Sequence, residues 1–153
     1  MKIKEVMSRD VATCRPSDSV ATAATRMWDR DCGALPVVED GRVRGMITDR
    51  DICIALVFKG REPWAVDVGE VVNGPLFSCS PETDVAEALE VMRDHQVRRL
   101  PVLDDGRLAG VVSLSDLALA AGEGKGTEQG PSCREVVDAL QGICTHHRPA
   151  VAA

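Results

Sequence analysis

Apolar residues recur along the chain in two rhythms, and the same succession of rhythms occurs twice. A short extended stretch, Val11–Cys14, leads to Pro16 and a cluster of Ser, Thr and Asp. Val20, Ala23, Ala24 and Met27 then follow at i, i+3, i+4 and i+7, the spacing of one helix face. Two apolar runs, Ala34–Val38 and Val43–Thr48, predict short strands joined by a tight turn at Glu39-Asp40-Gly41. A second helix begins near Asp49. The pattern restarts with Leu76–Cys79, Pro81 and a helix face of Val85, Ala88, Leu89 and Met92, for which Asp84-x-x-Glu87 reads as a capping box. Strands Leu100–Leu103 and Leu108–Ser113 flank Asp104-Asp105-Gly106, and a last helix begins near Leu114.

Shifting the sequence by 65 positions aligns residues 6–55 with 71–120 without a gap, and 17 of the 50 pairs are identical. Pro36/Pro101, Gly41/Gly106, Gly45/Gly110 and Asp51/Asp116 are among them. A self-similarity of this density marks a duplicated unit. Each copy reads β-α-β-β-α, an α+β unit whose sheet is too short to stand alone. Two copies packed sheet to sheet, with pseudo-two-fold symmetry, resolve that shortage. The expected boundaries are 1–62 for the first domain, 63–122 for the second, and 123–153 for a linker and helical tail.

Of the 153 residues 44% are hydrophobic and 27% charged, the profile of a globular protein. No apolar run reaches the roughly 20 residues that span a bilayer, and the start Met-Lys-Ile-Lys-Glu lacks the apolar core of a signal peptide. A cytoplasmic location is expected, with no membrane association. The net charge of −6, no Tyr, two Phe and two Trp disfavour nucleic acid as a partner. The six cysteines form no Cys-x-x-Cys pair and sit in or beside apolar segments, where free Cys acts as a small hydrophobe. No nucleophile–base pairing, P-loop or HExxH occurs at a recognisable spacing, so the chain is read as no enzyme.

The helix Asp51–Phe58 is apolar on all sides and needs cover on all sides; Asp116–Ala121 is similar. A homodimer burying both is expected, with Trp64 as a packing lid over the first. Residues 122–130 have the composition of a flexible linker. Ser132 to Ile143 predicts an amphipathic helix with Val136, Val137, Leu140 and Ile143 apolar, docked on its own module or on the dimer mate, or else binding an unidentified protein partner in a ligand-dependent way. Cys144, His146 and His147 are metal-ligand types, but three residues near a chain end do not make a site; no metal is assigned.

The repeated unit resembles the CBS-domain family, whose tandem pair is called a Bateman module. The resemblance covers about residues 3–121. It rests on Ala34-Leu35-Pro36-Val37 with Arg99-Leu100-Pro101-Val102, and on Gly45-Met46-Ile47-Thr48-Asp49-Arg50-Asp51 with Gly110-Val111-Val112-Ser113-Leu114-Ser115-Asp116. The pattern is most similar to the short bacterial proteins that consist of little but the pair, including those of the hypoxic-response type. The resemblance implies a regulatory module that binds an adenosine-type ligand (AMP, ADP, ATP or S-adenosylmethionine) in clefts between the repeats. It requires no cofactor.

The chemistry suits such a ligand. An ionised Asp accepts hydrogen bonds from a ribose diol, and a Thr or Ser hydroxyl can donate to a phosphate or sugar oxygen. The same two residue types cap helices, and both roles can coexist. As the resemblance implies, the cleft of Thr48 and Asp51 is also lined by Arg98, Arg99 and Pro101. That of Ser113 and Asp116 is lined by Gly33, Ala34 and Pro36. Arg50, where the second copy has Ser115, adds charge to the first cleft. Arg grips phosphate with paired donors, so the Asp51 cleft is expected to prefer phosphorylated ligands and the Asp116 cleft neutral ones. Asp49 is expected to oppose this by placing a negative charge near the first cleft. Two other functions stay open: a ligand-independent dimeric scaffold, and a redox or metal sensor built on cysteines such as Cys14 and Cys79.

Overall fold

In the computed structural model, residues 1–72, 74–122 and 130–145 are described. The elements follow the duplicated order: α1 (Val20–Asp29), β1 (Ala34–Glu39), β2 (Arg42–Thr48) and α2 (Asp49–Lys59), then α3 (Val85–Asp94), β3 (Arg99–Asp104), β4 (Arg107–Ser113) and α4 (Leu114–Gly122), and a final α5 (Cys133–Cys144). The sheets are two hairpins, β1-β2 and β3-β4. Both turns place an aspartate and a glycine at positive φ, Asp40 and Gly41 at 50° and 76°, Asp105 and Gly106 at 48° and 77°. That pair of left-handed residues matches the twist of the flanking strands, which is why Asp-Gly stands there twice.

The expected first strand of each repeat is reduced to a single parallel bridge, Cys14 with Val37 and Cys79 with Val102. Pro16 and Pro81, two residues on, cannot donate to a ladder, so the pairing stops. The capping box expected at Asp84 does not form. Asp84 occupies the N-cap without a side-chain cap bond, because its carboxylate is drawn to Lys2 Nζ at 3.0 Å.

The chain divides into two compact units. One comprises Arg9–Leu76 and Asp104–Leu108, and is called the N-unit below; the C-unit holds Met1–Ser8, Phe77–Leu103 and Ala109–Ala153. The lead-in of each repeat thus joins the body of the other. In the C-unit the Val85 amide donates to Met1 O at 3.1 Å, and in the N-unit the Val20 amide donates to Val66 O at 2.9 Å, residues related by the same offset of 65. The N-unit core is built on Cys14, Val20, Met27, Leu35, Ile47 and Val66. That of the C-unit holds Ile3, Leu89, Met92, Leu100, Leu117 and three residues of α5.

Helix α5 begins where the sequence predicts it, with Ser132 capping and Glu135 completing the box. Its buried face is Val136, Ala139 and Ile143, whereas Val137 and Leu140 are exposed. The stripe is rotated from the expected one because small Ala139 and Gly142 allow close approach to α3; a Cβ on Gly142 would lie 2.3 Å from Arg93 Cγ. The expected linker around 122–130 falls largely outside the described residues, as do His146 and His147.

Candidate functional site: two capping boxes at strand ends

In the N-unit, β1 and β2 run antiparallel with Ala34 opposite Thr48 and Pro36 opposite Met46. The Asp49 amide donates to Gly33 O at 3.2 Å. Gly33, Ala34 and Thr48 therefore meet at one end of the hairpin, where α2 starts. Thr48 caps that helix. Its hydroxyl accepts from the Asp51 amide at 3.1 Å and donates to Asp51 Oδ2 at 2.7 Å, while the Thr48 amide donates to the same oxygen at 3.0 Å.

The C-unit repeats the arrangement. Ser113 Oγ accepts from the Asp116 amide at 3.2 Å and donates to Asp116 Oδ2 at 2.6 Å, and the Ser113 amide reaches Oδ2 at 2.8 Å. The Leu114 amide donates to Arg98 O at 2.9 Å, so Arg98 and Arg99 stand beside this box. Within each unit the structure thus gathers one set: Gly33, Ala34, Pro36, Thr48, Arg50 and Asp51, or Arg98, Arg99, Pro101, Ser113, Ser115 and Asp116. Both prolines are buried. Each aspartate uses one carboxylate oxygen for the cap, and the other accepts no hydrogen bond from a described residue of its unit. The capping function is present in both copies.

Asp49 stands in the first turn of α2 beside Thr48 and Asp51, and its Oδ2 would be 2.9 Å from a Cβ placed on Gly33, so its charge also weighs on the Gly33–Ala34 end. The corresponding pair in the C-unit is Arg98 and Leu114, with no carboxylate, and Arg98 and Arg99 make no ion pair with any described residue of their unit. The sequence signal was the exchange itself: glycine with aspartate in one copy, arginine with leucine in the other. His95 stacks on Phe77 with ring centroids 3.7 Å apart at the end of α3, a packing role.

Five of the six cysteines separate into two groups, and Cys32 is half-buried. Burial, reinforced by Asp18, pushes the Cys14 thiol up to about 11, and burial with Glu87 does the same for Cys79. Such thiols hold little thiolate, the reactive form, at neutral pH. Cys53, Cys133 and Cys144 are exposed. Native-state labelling with a thiol reagent at pH 8 is expected to modify these three quickly, with Cys14 and Cys79 protected until unfolding. Fast modification of the equivalent pair would revive the cysteine-sensor alternative. Among the described residues no group of three or more potential ligands could hold a metal ion. No described helix is long and apolar enough to cross a membrane.

A duplicated α+β unit with a hydroxyl–carboxylate box at the same strand end in each copy defines a tandem-repeat domain pair. The chain belongs to the CBS domain family, whose model matches residues 3–57 and 68–123. It is similar to the CBS domain-containing protein YhcV of Bacillus subtilis, at 40% identity over 117 residues, 76% of this chain and 83% of that protein. It is also similar to hypoxic response protein 1 of Mycobacterium tuberculosis, at 35% identity over 116 residues, 75% of this chain and 81% of that protein. A crystal structure described as hypoxic response protein I with two coordinated zinc ions superposes with a TM-score of 0.72 at 34% identity, covering 78% of this chain and 98% of that one. The CBS pair of protein MJ0100, in complex with 5′-methylthioadenosine and S-adenosyl-L-methionine, shares the fold at a TM-score of 0.74 and 24% identity, covering 82% and 98% of the two chains.

Proposed function

We propose that this CBS pair is a regulatory sensor that takes an adenosine-type ligand and acts as a homodimer. The observation that carries the reading is the second oxygen of Asp51 and of Asp116. Each carboxylate accepts two hydrogen bonds of its box on one oxygen, yet keeps the other oxygen unused at a helix N-terminus. An acceptor held in place without side-chain freedom to lose suits a ribose diol. The complex of the MJ0100 pair gives the fold a precedent for such ligands.

The two clefts are read as unequal. Asp51 is taken together with Arg50, Arg98, Arg99 and Pro101, a basic set suited to AMP, ADP or ATP. Asp116 is taken with Gly33 and Ala34, where the carboxylate of Asp49 opposes phosphate and favours a neutral or cationic group such as that of S-adenosylmethionine. The dimer is read from α2, of which Ile52 alone is buried while Ile54, Val57 and Phe58 are exposed.

Calorimetry with AMP, ADP, ATP and S-adenosylmethionine tests the reading. Heat with at least one is expected, and Asp51→Asn is expected to weaken the phosphorylated ligand at least about tenfold, because hydrogen bonds to a charged acceptor are worth roughly 1.5–3 kcal/mol. The asparagine oxygen can still accept from the amide and hydroxyl of Thr48, so unfolding should shift by no more than about 0.5 kcal/mol. No heat with any of the four would leave the boxes as caps and the chain as a ligand-free scaffold.

A further inference from the structure

The repeats carry equivalent helix pairs at the offset of 65 residues, and the pair of the second repeat is seen holding a helix. In the C-unit α5 lies along α3 and α4 and sends Val136, Ala139 and Ile143 into their core. Its last turn crosses Arg93, whose Cγ would be 2.3 Å from a Cβ placed on Gly142. Gln96 donates to Gly142 O at 3.4 Å and to Thr145 O. The carbonyl end of α5 thus meets an amide donor beside an arginine, groups that suit the negative end of a helix. The family model ends at residue 123, so α5 is an addition and the seat it occupies belongs to the repeat.

In the N-unit no described helix covers α1 and α2, and an open groove of about 640 Å³ runs between them. Its walls keep the apolar character of the second repeat: Met27, Ile52 and Leu56 correspond to Met92, Leu117 and Ala121. Its end does not. Asp31 stands for Gln96, Asp49 for Leu114, and Trp28, 86% exposed, for Arg93. No basic residue is among the described residues that line the groove. A carboxylate only accepts, so a helix seated here must bring donors to that end, through Lys or Arg side chains or its own N-terminal amides. A second copy's α5, seated as α5 is in its own unit, would set carbonyls against Asp31, acceptor against acceptor. Exposed Trp28 at the margin is the residue type that anchors helices in grooves. Asp49, Ile52, Cys53 and Leu56 lie about 140° round α2 from Ile54, Val57 and Phe58 at roughly 100° per residue, so the groove is separate from the ridge from which the dimer is read.

We infer that the α1/α2 groove seats an amphipathic helix of a partner protein, apolar toward Met27, Ile52 and Leu56 and carrying Lys or Arg against Asp31 and Asp49. The inference rests neither on the adenosine ligand nor on the dimer. Trp64, expected as a lid over α2, instead lies in a 3-10 turn that packs along α1 and is 71% exposed. It leaves the groove open, and Trp64→Phe makes Trp28 the one tryptophan of the chain.

Two synthetic peptides added to the full chain with Trp64→Phe test the inference. Both present the apolar residues Val136, Ala139 and Ile143 of α5 at their own spacing; one has Lys at the exposed positions and the other Glu. The Lys peptide should shift Trp28 emission to shorter wavelength and slow thiol labelling of Cys53, which lines the groove, but not of Cys133. At low salt it should bind at least about tenfold more tightly than the Glu peptide, because like charges brought together cost several kcal/mol. The gap should narrow as salt rises. Asp31 holds a φ of 49°, which Asn also tolerates; Asp31→Asn should weaken the Lys peptide roughly threefold, the scale of an exposed ion pair. Ala24→Arg, at an exposed position of α1, fills the groove with like charge and should weaken it at least about tenfold. Should Ala24→Arg not fold, Asp31→Asn, which changes almost no volume, decides. No change at Trp28 with either peptide, equal affinity for both, or a Lys peptide indifferent to Ala24→Arg and Asp31→Asn overturns the inference. So does a fall from two copies to one on Ala24→Arg in light scattering, which would make a second copy the occupant.

Discussion

Exchanging Arg98 and Arg99 for glycine and alanine, the residues the first repeat carries at those positions, is expected to lower affinity for a phosphorylated adenosine ligand by roughly ten- to a hundredfold. Each charge-assisted hydrogen bond to phosphate contributes about 1.5–3 kcal/mol, and about 1.4 kcal/mol is a factor of ten. Arg98 is exposed and Arg99 half-buried, and neither holds an ion pair with a described residue of its unit, so unfolding should change by only about 0.5 kcal/mol. Calorimetry with AMP and with adenosine separates the causes. A loss confined to AMP identifies phosphate as the group held; an equal loss for adenosine would reject that role. The reciprocal change, Asp49→Leu, removes the carboxylate lying on Gly33. It is expected to raise whatever affinity for phosphorylated ligands the Asp116 cleft has, leaving the Asp51 cleft unchanged.

The largest effect on stability is expected from Gly110→Val. A Cβ at that position would lie 2.6 Å from Ser8 O and 3.0 Å from Met7 Sδ. Ser8 and Val111 exchange two backbone hydrogen bonds of 2.9 Å, which fasten the lead-in of the first repeat to β4. A backbone carbonyl cannot rotate away, so the lead-in must detach. Overpacking of about 1–3 kcal/mol and the loss of two bonds at about 1 kcal/mol each give a cost of roughly 3–5 kcal/mol. Gly45→Val is the control. There the nearest atom is a side-chain methyl, Val72 Cγ1, at 2.4 Å, which can turn aside at a lower cost. Denaturant unfolding gives the two costs, and amide exchange at Val111 reports whether the lead-in has opened. Equal costs, with the Val111 amide still protected, would show that the approach of Ser8 is not why glycine stands at 110.

Much of this molecule was legible in the residue pattern because its interactions are local. Hairpin turns need two left-handed residues in succession, and Asp40-Gly41 and Asp105-Gly106 supply them at the predicted positions. Thr48 with Asp51, and Ser113 with Asp116, are three residues apart, a separation a helix start brings into contact whatever surrounds it. The strands therefore begin and end within a residue or two of the predicted limits. Where a residue answers to a distant one, the pattern was silent. Asp84 leaves its own helix for Lys2, 82 positions away, and so the expected capping box is lost. Val11–Cys14 has the composition of a strand, but Pro16 limits it to one bridge.

The sequence by itself determined the duplication, the order of elements, and the chemistry placed at each strand end. An offset of 65 is a property of the string alone, and capping is a matter of neighbours. Tertiary structure decided three other things. It joined the lead-in of each repeat to the body of the other, since only a folded chain can show which backbone a glycine admits. It put the carboxylate of Asp49 against Gly33. And it laid α5 over α3 and α4, while no described helix covers α1 and α2. Apolar spacing tells that a face must be buried; it does not tell what buries it, because the covering surface can come from anywhere in the chain or from another copy.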